Sequence, residues 1–82
     1  MNVHVKIFPI AGLCDKTQKL AIVLKNGTMD ELLEHVQEQL GVTLYETETI
    51  IFLHNGCALD RHKETVFKDG DQLWLLPLIS GG

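Results

Sequence analysis

The carboxyl end of the sequence carries the group best suited to chemistry outside a folded body. The chain ends on Gly81-Gly82, two residues beyond the apolar run Leu73–Ile79. Glycine has no Cβ, so a glycine tail can enter a narrow channel and adopt positive φ angles inside it. A frayed terminus has the same appearance in a sequence. If the apolar run is a strand of a rigid body, however, the Gly82 carboxylate lies on a short stalk that another enzyme can reach.

The other reactive side chains are scattered along the chain. Four histidines occur in separate segments without the spacing of metal ligands: His4, His35, His54 and His62. Cys14 and Cys57 are also isolated, so we expect two reduced, half-buried thiols. Residues 60–64 mix charges and are expected to form a solvated loop. No nucleophile, base and orienting group are spaced for catalysis, so the sequence predicts no catalytic residues, no metal and no bound cofactor.

Length and composition are those of one small soluble domain. A chain of 82 residues hides only roughly 60% of its unfolded surface, which suffices for a thin core but hardly for a catalytic cleft as well. The formal net charge is −4 and its Lys and Arg residues never cluster, so we expect no nucleic-acid binding. The amino end does not resemble a signal peptide, and the longest apolar run is too short to span a bilayer. We therefore predict a cytoplasmic protein without membrane contact.

Alternation and turn residues predict the elements that precede the helix and the helix itself. Residues 3–7 and 20–24 alternate apolar and polar side chains, as two paired strands do. Thr28 and Glu31 match a capping box, so a helix is predicted from Met29 to a stop at Gly41. Its apolar stripe, Met29, Leu32, Leu33, Val36 and Leu40, must lie across the sheet. The acidic residues of this stretch, Asp30, Glu31, Glu34 and Glu38, form a solvated face or, alternatively, a docking patch for a basic partner.

The second half of the chain predicts three further strands. Residues 50–53 form a short buried strand, the pair Asn55-Gly56 suits a tight turn, and a weak strand follows near 57–59. After the turn 69–71, residues 72–78 are apolar on both faces and belong in the middle of the sheet. Trp74 is expected in the core, or else as a partly exposed ring beside the tail that helps to dock a partner. We predict that six side chains are buried together: Leu33, Val36, Leu40, Ile51, Leu73 and Leu75.

The order of these elements predicts the fold. Strand, strand, helix, strand, short strand and strand is the order of an α+β fold of the ubiquitin-like β-grasp class. In that fold a mixed sheet of four to five strands has one helix packed across it, and the last strand lies beside the first. We predict a β-grasp domain over residues 1–78 and a flexible tail over residues 79–82.

The closing segment resembles a known family. The Asp-Gly-Asp turn, the apolar strand and the Gly-Gly end of residues 68–82 are similar to those of the MoaD/ThiS-like sulfur carriers of molybdopterin and thiamine biosynthesis. Residues 28–33 and the Asn55-Gly56 turn are similar too. The resemblance implies that an adenylating enzyme of the ubiquitin-activating type joins the Gly82 carboxylate to AMP, using ATP. A sulfurtransferase or persulfide donor then leaves a C-terminal thiocarboxylate.

The resemblance also implies roles for the end of the chain. Gly82 carries the sulfur, Gly81 is the hinge, and Leu78, Ile79 and Ser80 thread into partner sites. The acceptor of the sulfur is the large subunit of molybdopterin synthase or a thiazole synthase. Residues 77–80 and the long loop 9–18 are nearer to the molybdopterin carriers. That loop lacks an expected Arg-Glu pair, so carriers for tungsten cofactor, thiamine or another sulfur-containing metabolite stay open.

Two other classes of protein share the predicted fold, since a fold alone does not define a function. One is a ubiquitin-like modifier, in which Gly82 forms an isopeptide bond with lysines of target proteins. The other is a β-grasp interaction module in which the Gly-Gly end is incidental. A modifier would leave a Gly-Gly remnant on lysines, whereas a plain module would tolerate the loss of both glycines.

Overall fold

Five strands and one helix form the part of the chain that the structure describes. The structure is a computed structural model, which describes residues 1–43, 49–59 and 64–78. The elements are β1 Asn2–Ile7, β2 Gln18–Val23, α1 Met29–Leu40, β3 Ile50–His54, β4 Cys57–Ala58 and β5 Gln72–Pro77. They form a mixed sheet of order β2-β1-β5-β3-β4, in which β1 and β5 are parallel and the other neighbours are antiparallel. The predicted β-grasp fold is confirmed.

The last strand lies in the middle of the sheet, as its two apolar faces predicted. One edge of β5 pairs with β1 up to Ile7 opposite Leu75, and its other edge pairs with β3. Leu73 and Leu75 are fully buried against the core, whereas Trp74, between them, lies on the opposite face. Since both edges of β5 are hydrogen-bonded, the chain leaves the sheet from a firmly held strand.

Local interactions explain where the helix begins and ends. The Thr28 Oγ1 accepts from the N–H of Glu31 at 3.2 Å, and the helix begins at the next residue after Thr28. The Glu31 carboxylate accepts from the three N–H groups of residues 25–27 at 2.7 to 3.1 Å. These bonds, chiefly that of Lys25, lower the pKa of Glu31 because they stabilise its charged form. Gly41 ends the helix with φ +68°, the left-handed conformation that favours glycine.

The core lies between α1 and the inner face of the sheet. Leu32 and Val36 are the fully buried side chains of the helix, and Phe67, just before β5, is also fully buried. Leu33 and Leu40 are only partly buried and pack against this core. The predicted helix stripe is therefore right, but Leu33 and Leu40, which were predicted to be buried, are only partly so, and Leu32 is fully buried instead.

The prediction that Ile51 belongs to the buried set is wrong. Ile50 and Phe52 face the core, and Ile51 lies on the other face, where it is half-buried. The four apolar residues of β3 do not alternate, so their pattern cannot indicate which face is inward. Pairing with β5 decides it, because Phe52 lies opposite the buried Leu75.

Candidate functional site

The candidate site begins where β5 ends. Leu78 is exposed by 55%, and its N–H donates to the carbonyl of Thr49 at 2.8 Å. On the other edge of the strand, the N–H of Phe8 donates to the carbonyl of Leu75 at 2.9 Å. The remaining predicted site residues, Ile79, Ser80, Gly81 and Gly82, lie outside the described residues. The flexibility and the roles proposed for these four residues therefore stay predictions. The described part of the chain shows how β5, the strand that precedes them, is held in the sheet.

A network around the Asp71 carboxylate holds the start of β5. The His54 Nε2 lies 2.7 Å from Asp71 Oδ2, the Asn55 side-chain amide donates to Asp71 Oδ1 at 3.1 Å, and the N–H of Lys68 donates to Oδ2 at 2.9 Å. The N–H of Gln72 in turn donates to Asn55 Oδ1 at 2.8 Å. The Lys68 N–H first, and then His54 and Asn55, lower the pKa of Asp71 from 3.8 to about 2. The carboxylate thus ties the β3–β4 hairpin to β5.

Sequence reasoning identified the two turns of this network but not their contact. Asn55 and Gly56 both have positive φ, +51° and +85°, which confirms the predicted tight turn. Residues 69–71 form the second predicted turn, in which Gly70 has φ +87°. Asn55 and Asp71 have side chains that readily form hydrogen bonds, which was the signal in the sequence that these turns could interact. Only the pairing of β3 with β5 brings them together.

An aromatic group lies on the opposite face of the sheet from α1, close to the end of β5. The rings of Trp74 and Phe8 meet edge to face with centroids 5.4 Å apart. The Lys6 Nζ lies 4.9 Å from the Phe8 centroid and 5.1 Å from the Trp74 centroid. Trp74 is exposed by 38%. The expectation that Trp74 is a core residue is therefore wrong. Its ring is partly exposed, as in the alternative, whereas its place beside the tail stays a prediction.

The two thiols lie in different environments. Cys14 is half-buried, with its Sγ donating to the Phe8 carbonyl at 3.5 Å, but Cys57 is exposed in β4, contrary to expectation. Within residues 1–43, 49–59 and 64–78 no three His, Cys, Asp or Glu side chains are grouped to hold a metal ion. In the same part of the chain no helix is long and apolar enough to cross a membrane. His62 lies outside the described residues.

Comparison with known proteins identifies the family. The model of the ThiS family matches residues 5–82. The chain belongs to the ThiS family. The resemblance seen in the closing segment is thereby confirmed, and the match includes all the residues of the candidate site.

Similar proteins of known name and structure agree with this assignment to the ThiS family. The chain is 31% identical to the molybdopterin synthase sulfur carrier subunit of Drosophila melanogaster and 32% identical to that of Drosophila simulans, covering 100% of this chain and 92% of each relative. A chain in the complex of subunits 1 and 2 of molybdopterin-converting factor from Helicobacter pylori superposes with a TM-score of 0.63 at 27% identity. SAMP1 from Haloferax volcanii superposes with a TM-score of 0.63 at 25% identity. Both structural matches cover the whole of each chain.

Proposed function

We propose that this ThiS-family chain is a sulfur carrier in the biosynthesis of molybdopterin, the organic part of the molybdenum and tungsten cofactors. The observation that carries the proposal is the position of β5. β5 is a central strand, and its side chains Leu73 and Leu75 are buried. The chain leaves this strand at the exposed Leu78, four residues before Gly82. The names of the Drosophila relatives favour molybdopterin over thiamine.

Activation of the carboxylate is the first chemical step. A Gly82 carboxylate oxygen attacks the α-phosphorus of ATP in the adenylating partner, and the bond from this phosphorus to the bridging oxygen of pyrophosphate breaks. Pyrophosphate leaves, and the product is a mixed anhydride of Gly82 and AMP. A carboxylate is a poor electrophile, whereas this anhydride has a good leaving group. The ATP belongs to the partner's reaction, and the carrier itself needs no bound cofactor.

Transfer of sulfur is the second step. A sulfide or a persulfide sulfur attacks the Gly82 carbonyl carbon, and AMP leaves with the bonding electron pair. Sulfide yields the thiocarboxylate directly. When the donor is a persulfide, a second thiol must cleave the sulfur–sulfur bond, which releases the thiocarboxylate and leaves a disulfide on the donor side.

The chain supplies a substrate atom in this scheme, and its partners supply the catalysis. Glycine at positions 81 and 82 permits the narrow passage and the positive φ angles that an active-site channel requires. Gly81 acts as the hinge, while Leu78, Ile79 and Ser80 enter the partner. The proposed partners are the adenylating enzyme, a sulfurtransferase or persulfide donor, and the large subunit of the synthase.

The proposal is tested by moving the carboxylate without changing the domain. Adding one glycine after Gly82, or deleting Gly82, shifts the chain end by up to about 3.5 Å, as large as the near-attack distance of about 3–3.5 Å. Both variants should lose ATP–pyrophosphate exchange with the cognate adenylating enzyme. Asp15→Asn, at an exposed loop residue, leaves residues 78–82 unchanged and is the control that should retain exchange. Undiminished exchange by the extended chain would remove the case for terminal activation.

Mass spectrometry of the intact protein from its own cell separates the remaining functions. A carrier gains the mass difference between sulfur and oxygen at its C-terminus, and the purified thiocarboxylate should supply molybdopterin synthase rather than thiazole synthase. A Gly-Gly remnant on lysines of other proteins would instead indicate a modifier. Full function in the cell without Gly81 and Gly82 would indicate a plain interaction module.

A further inference from the structure

Strand β2 forms one edge of the sheet, and its register with β1 decides which of its backbone groups face outward. The Leu24 N–H donates to the Met1 carbonyl at 2.8 Å, and the Met1 amino group donates to the Leu24 carbonyl at 3.1 Å. Bonded and non-bonded pairs alternate along an antiparallel ladder. Residues 18, 20 and 22 of β2 therefore bond to β1, as Leu24 does just beyond the strand.

The alternate residues of β2, Lys19, Ala21 and Val23, direct their N–H and C=O groups away from β1. All three are exposed, Val23 by 64%. Within residues 1–43, 49–59 and 64–78 no hydrogen bond joins these backbone groups to another segment. An extended chain laid along β2 would thus find three donors and three acceptors at the spacing of a further strand.

The other edge of the sheet is much shorter. Strand β4, Cys57–Ala58, has two residues, whereas β2 has six. A long exposed edge is a template for pairing with another chain, and proteins commonly protect their edges by making them short or charged. Strand β2 is therefore the edge that offers a useful length for pairing.

The segment that contains β2 is cationic in an acidic protein. Lys16, Lys19 and Lys25 are spaced along it, and between Asp15 and Asp30 the sequence contains no Asp or Glu. The chain as a whole has a formal net charge of −4. An incoming strand with carboxylates is therefore attracted to this edge, and a cationic strand is repelled.

Charge also argues against a second copy of this chain as the occupant. Two β2 strands that use all three outward residues must pair antiparallel about Ala21, with Lys19 of each copy opposite Val23 of the other. This pairing brings Lys16 of each copy towards Lys25 of the other. Like charges then meet at both ends of the paired strands, so a lysine-bearing edge disfavours its own kind.

We propose that β2 binds an extended, acidic segment of a partner protein, which adds to the sheet as a further strand. Its carboxylates would lie opposite Lys19 and Lys25, and an apolar residue would cover Val23. On the side of α1 another apolar residue would cover Leu20, which is only partly buried against the core. This inference goes beyond the proposed function, because β2 takes no part in the chemistry at Gly82.

A synthetic peptide tests the edge with the full ¹⁵N-labelled chain. The probe is acetylated, amidated Asp-Asp-Val-Ile-Val-Ile-Glu-Asp, whose third, fifth and seventh residues can pair antiparallel with Val23, Ala21 and Lys19. It should bind with a Kd below about 1 mM. The amide resonances of these three residues should shift, and their hydrogen exchange should slow. Absence of binding, or binding that leaves these three amides unchanged, overturns the proposal.

Methylated peptides show whether backbone hydrogen bonds are used. In the antiparallel register the N–H of the fifth peptide residue points at β2, whereas that of the fourth points away. Methylation of the fifth nitrogen should raise the Kd at least about tenfold, and methylation of the fourth should change it by less than about twofold. In a parallel register the two nitrogens exchange these roles. Equal affinity of the two methylated peptides overturns the proposal.

Proline substitution provides a matched pair of protein variants. Proline has no N–H, and the Ala21 N–H is not used by β1, so Ala21→Pro should remain folded and lose at least about tenfold in peptide affinity. Ala58→Pro makes the same change at the opposite edge. Ala58 also directs its N–H away from its neighbour, because Leu59 is the residue that donates to Phe52. Equal peptide affinity of these two variants, with unfolding midpoints showing both folded, overturns the proposal.

A charge variant keeps every backbone group and stands in if Ala21→Pro does not fold. Lys19→Glu should weaken binding of the acidic peptide about fivefold. A peptide with Asn and Gln in place of the acids should bind the original chain and Lys19→Glu equally. Equal affinity of the acidic peptide for both chains overturns the proposal.

Sedimentation of the chain without peptide tests the other occupant. We expect a monomer. A dimer that Ala21→Pro dissociates would show that a second copy occupies the β2 edge and would overturn the proposal. None of these measurements requires the thiocarboxylate, so the carrier function and the β2 edge can fail separately.

Discussion

Protonation of Asp71 is expected to weaken the hydrogen bonds that hold the β3–β4 hairpin against β5. The pKa of this carboxyl is lowered from 3.8 to about 2, first by the N–H of Lys68 and then by His54 and Asn55. One pKa unit corresponds to about 1.4 kcal/mol. The Asp71 side chain is exposed by only 15%, so solvent screens these bonds incompletely. As an order of magnitude, the ionised carboxylate contributes about 2 kcal/mol to the free energy of unfolding.

The pH dependence has a definite sign. The folded-state pKa of Asp71 lies below the unfolded one, so the contribution is complete above about pH 4 and is lost as the pH falls through about 2. Asp71→Asn removes this titration. The variant should therefore be less stable than the original chain at neutral pH by about 2 kcal/mol, and the difference should shrink towards pH 2.

Urea unfolding followed by circular dichroism over this pH range measures the difference directly. Asp15→Asn, at an exposed loop carboxylate, is the matched control and should stay close to the original chain at every pH. A ¹³C carboxyl titration of Asp71 gives the folded-state pKa independently. A gap between Asp71→Asn and the original chain that does not change with pH, or a carboxyl midpoint near about 4, would refute the reasoning.

Two further predictions concern stability and use paired variants. Leu32→Ala should cost about 2–5 kcal/mol because Leu32 is fully buried, and Leu33→Ala should cost clearly less; the reverse order in urea unfolding would show that the helix is rotated. Gly27→Ala should destabilise more than Gly12→Ala. Both glycines have positive φ, but a Cβ on Gly27 would lie 2.8 Å from the Phe67 carbonyl oxygen, whereas one on Gly12 meets nothing within 4 Å. Equal unfolding free energies for these two variants would contradict the close approach.

Elements whose causes are local were predictable from the sequence. The helix begins after Thr28 and ends at Gly41 because a side-chain cap and a left-handed glycine act within a few residues. The central place of β5 was also predictable, since a strand that is apolar on both faces is stable only between other elements. The closing segment likewise indicated the family, because the residues that carry the resemblance are contiguous in the chain.

Features that depend on contacts between distant segments were not predictable in the same way. Ile51 was placed in the core because a continuous apolar run does not reveal which of its residues face inward. Asp71 and His54 lie 17 residues apart in the chain, and no spacing rule joins them. Trp74 was expected in the core because its size and apolar character suggest burial, but alternation with Leu73 and Leu75 places it outside.

The sequence by itself indicated the chemistry that we propose for this protein, because the residues that carry the family resemblance are contiguous in the covalent chain. It also determined the order of the elements, through periodicity and turns that act over short distances. Only the tertiary structure decided what surrounds that chemistry. Pairing of β5 with β1 and β3 collects Lys6, Trp74 and Ile51 on one face of the sheet, around the strand that precedes the candidate site residues. The physical reason is that strand register is a long-range choice, made by the whole sheet and by the core that the sheet must cover.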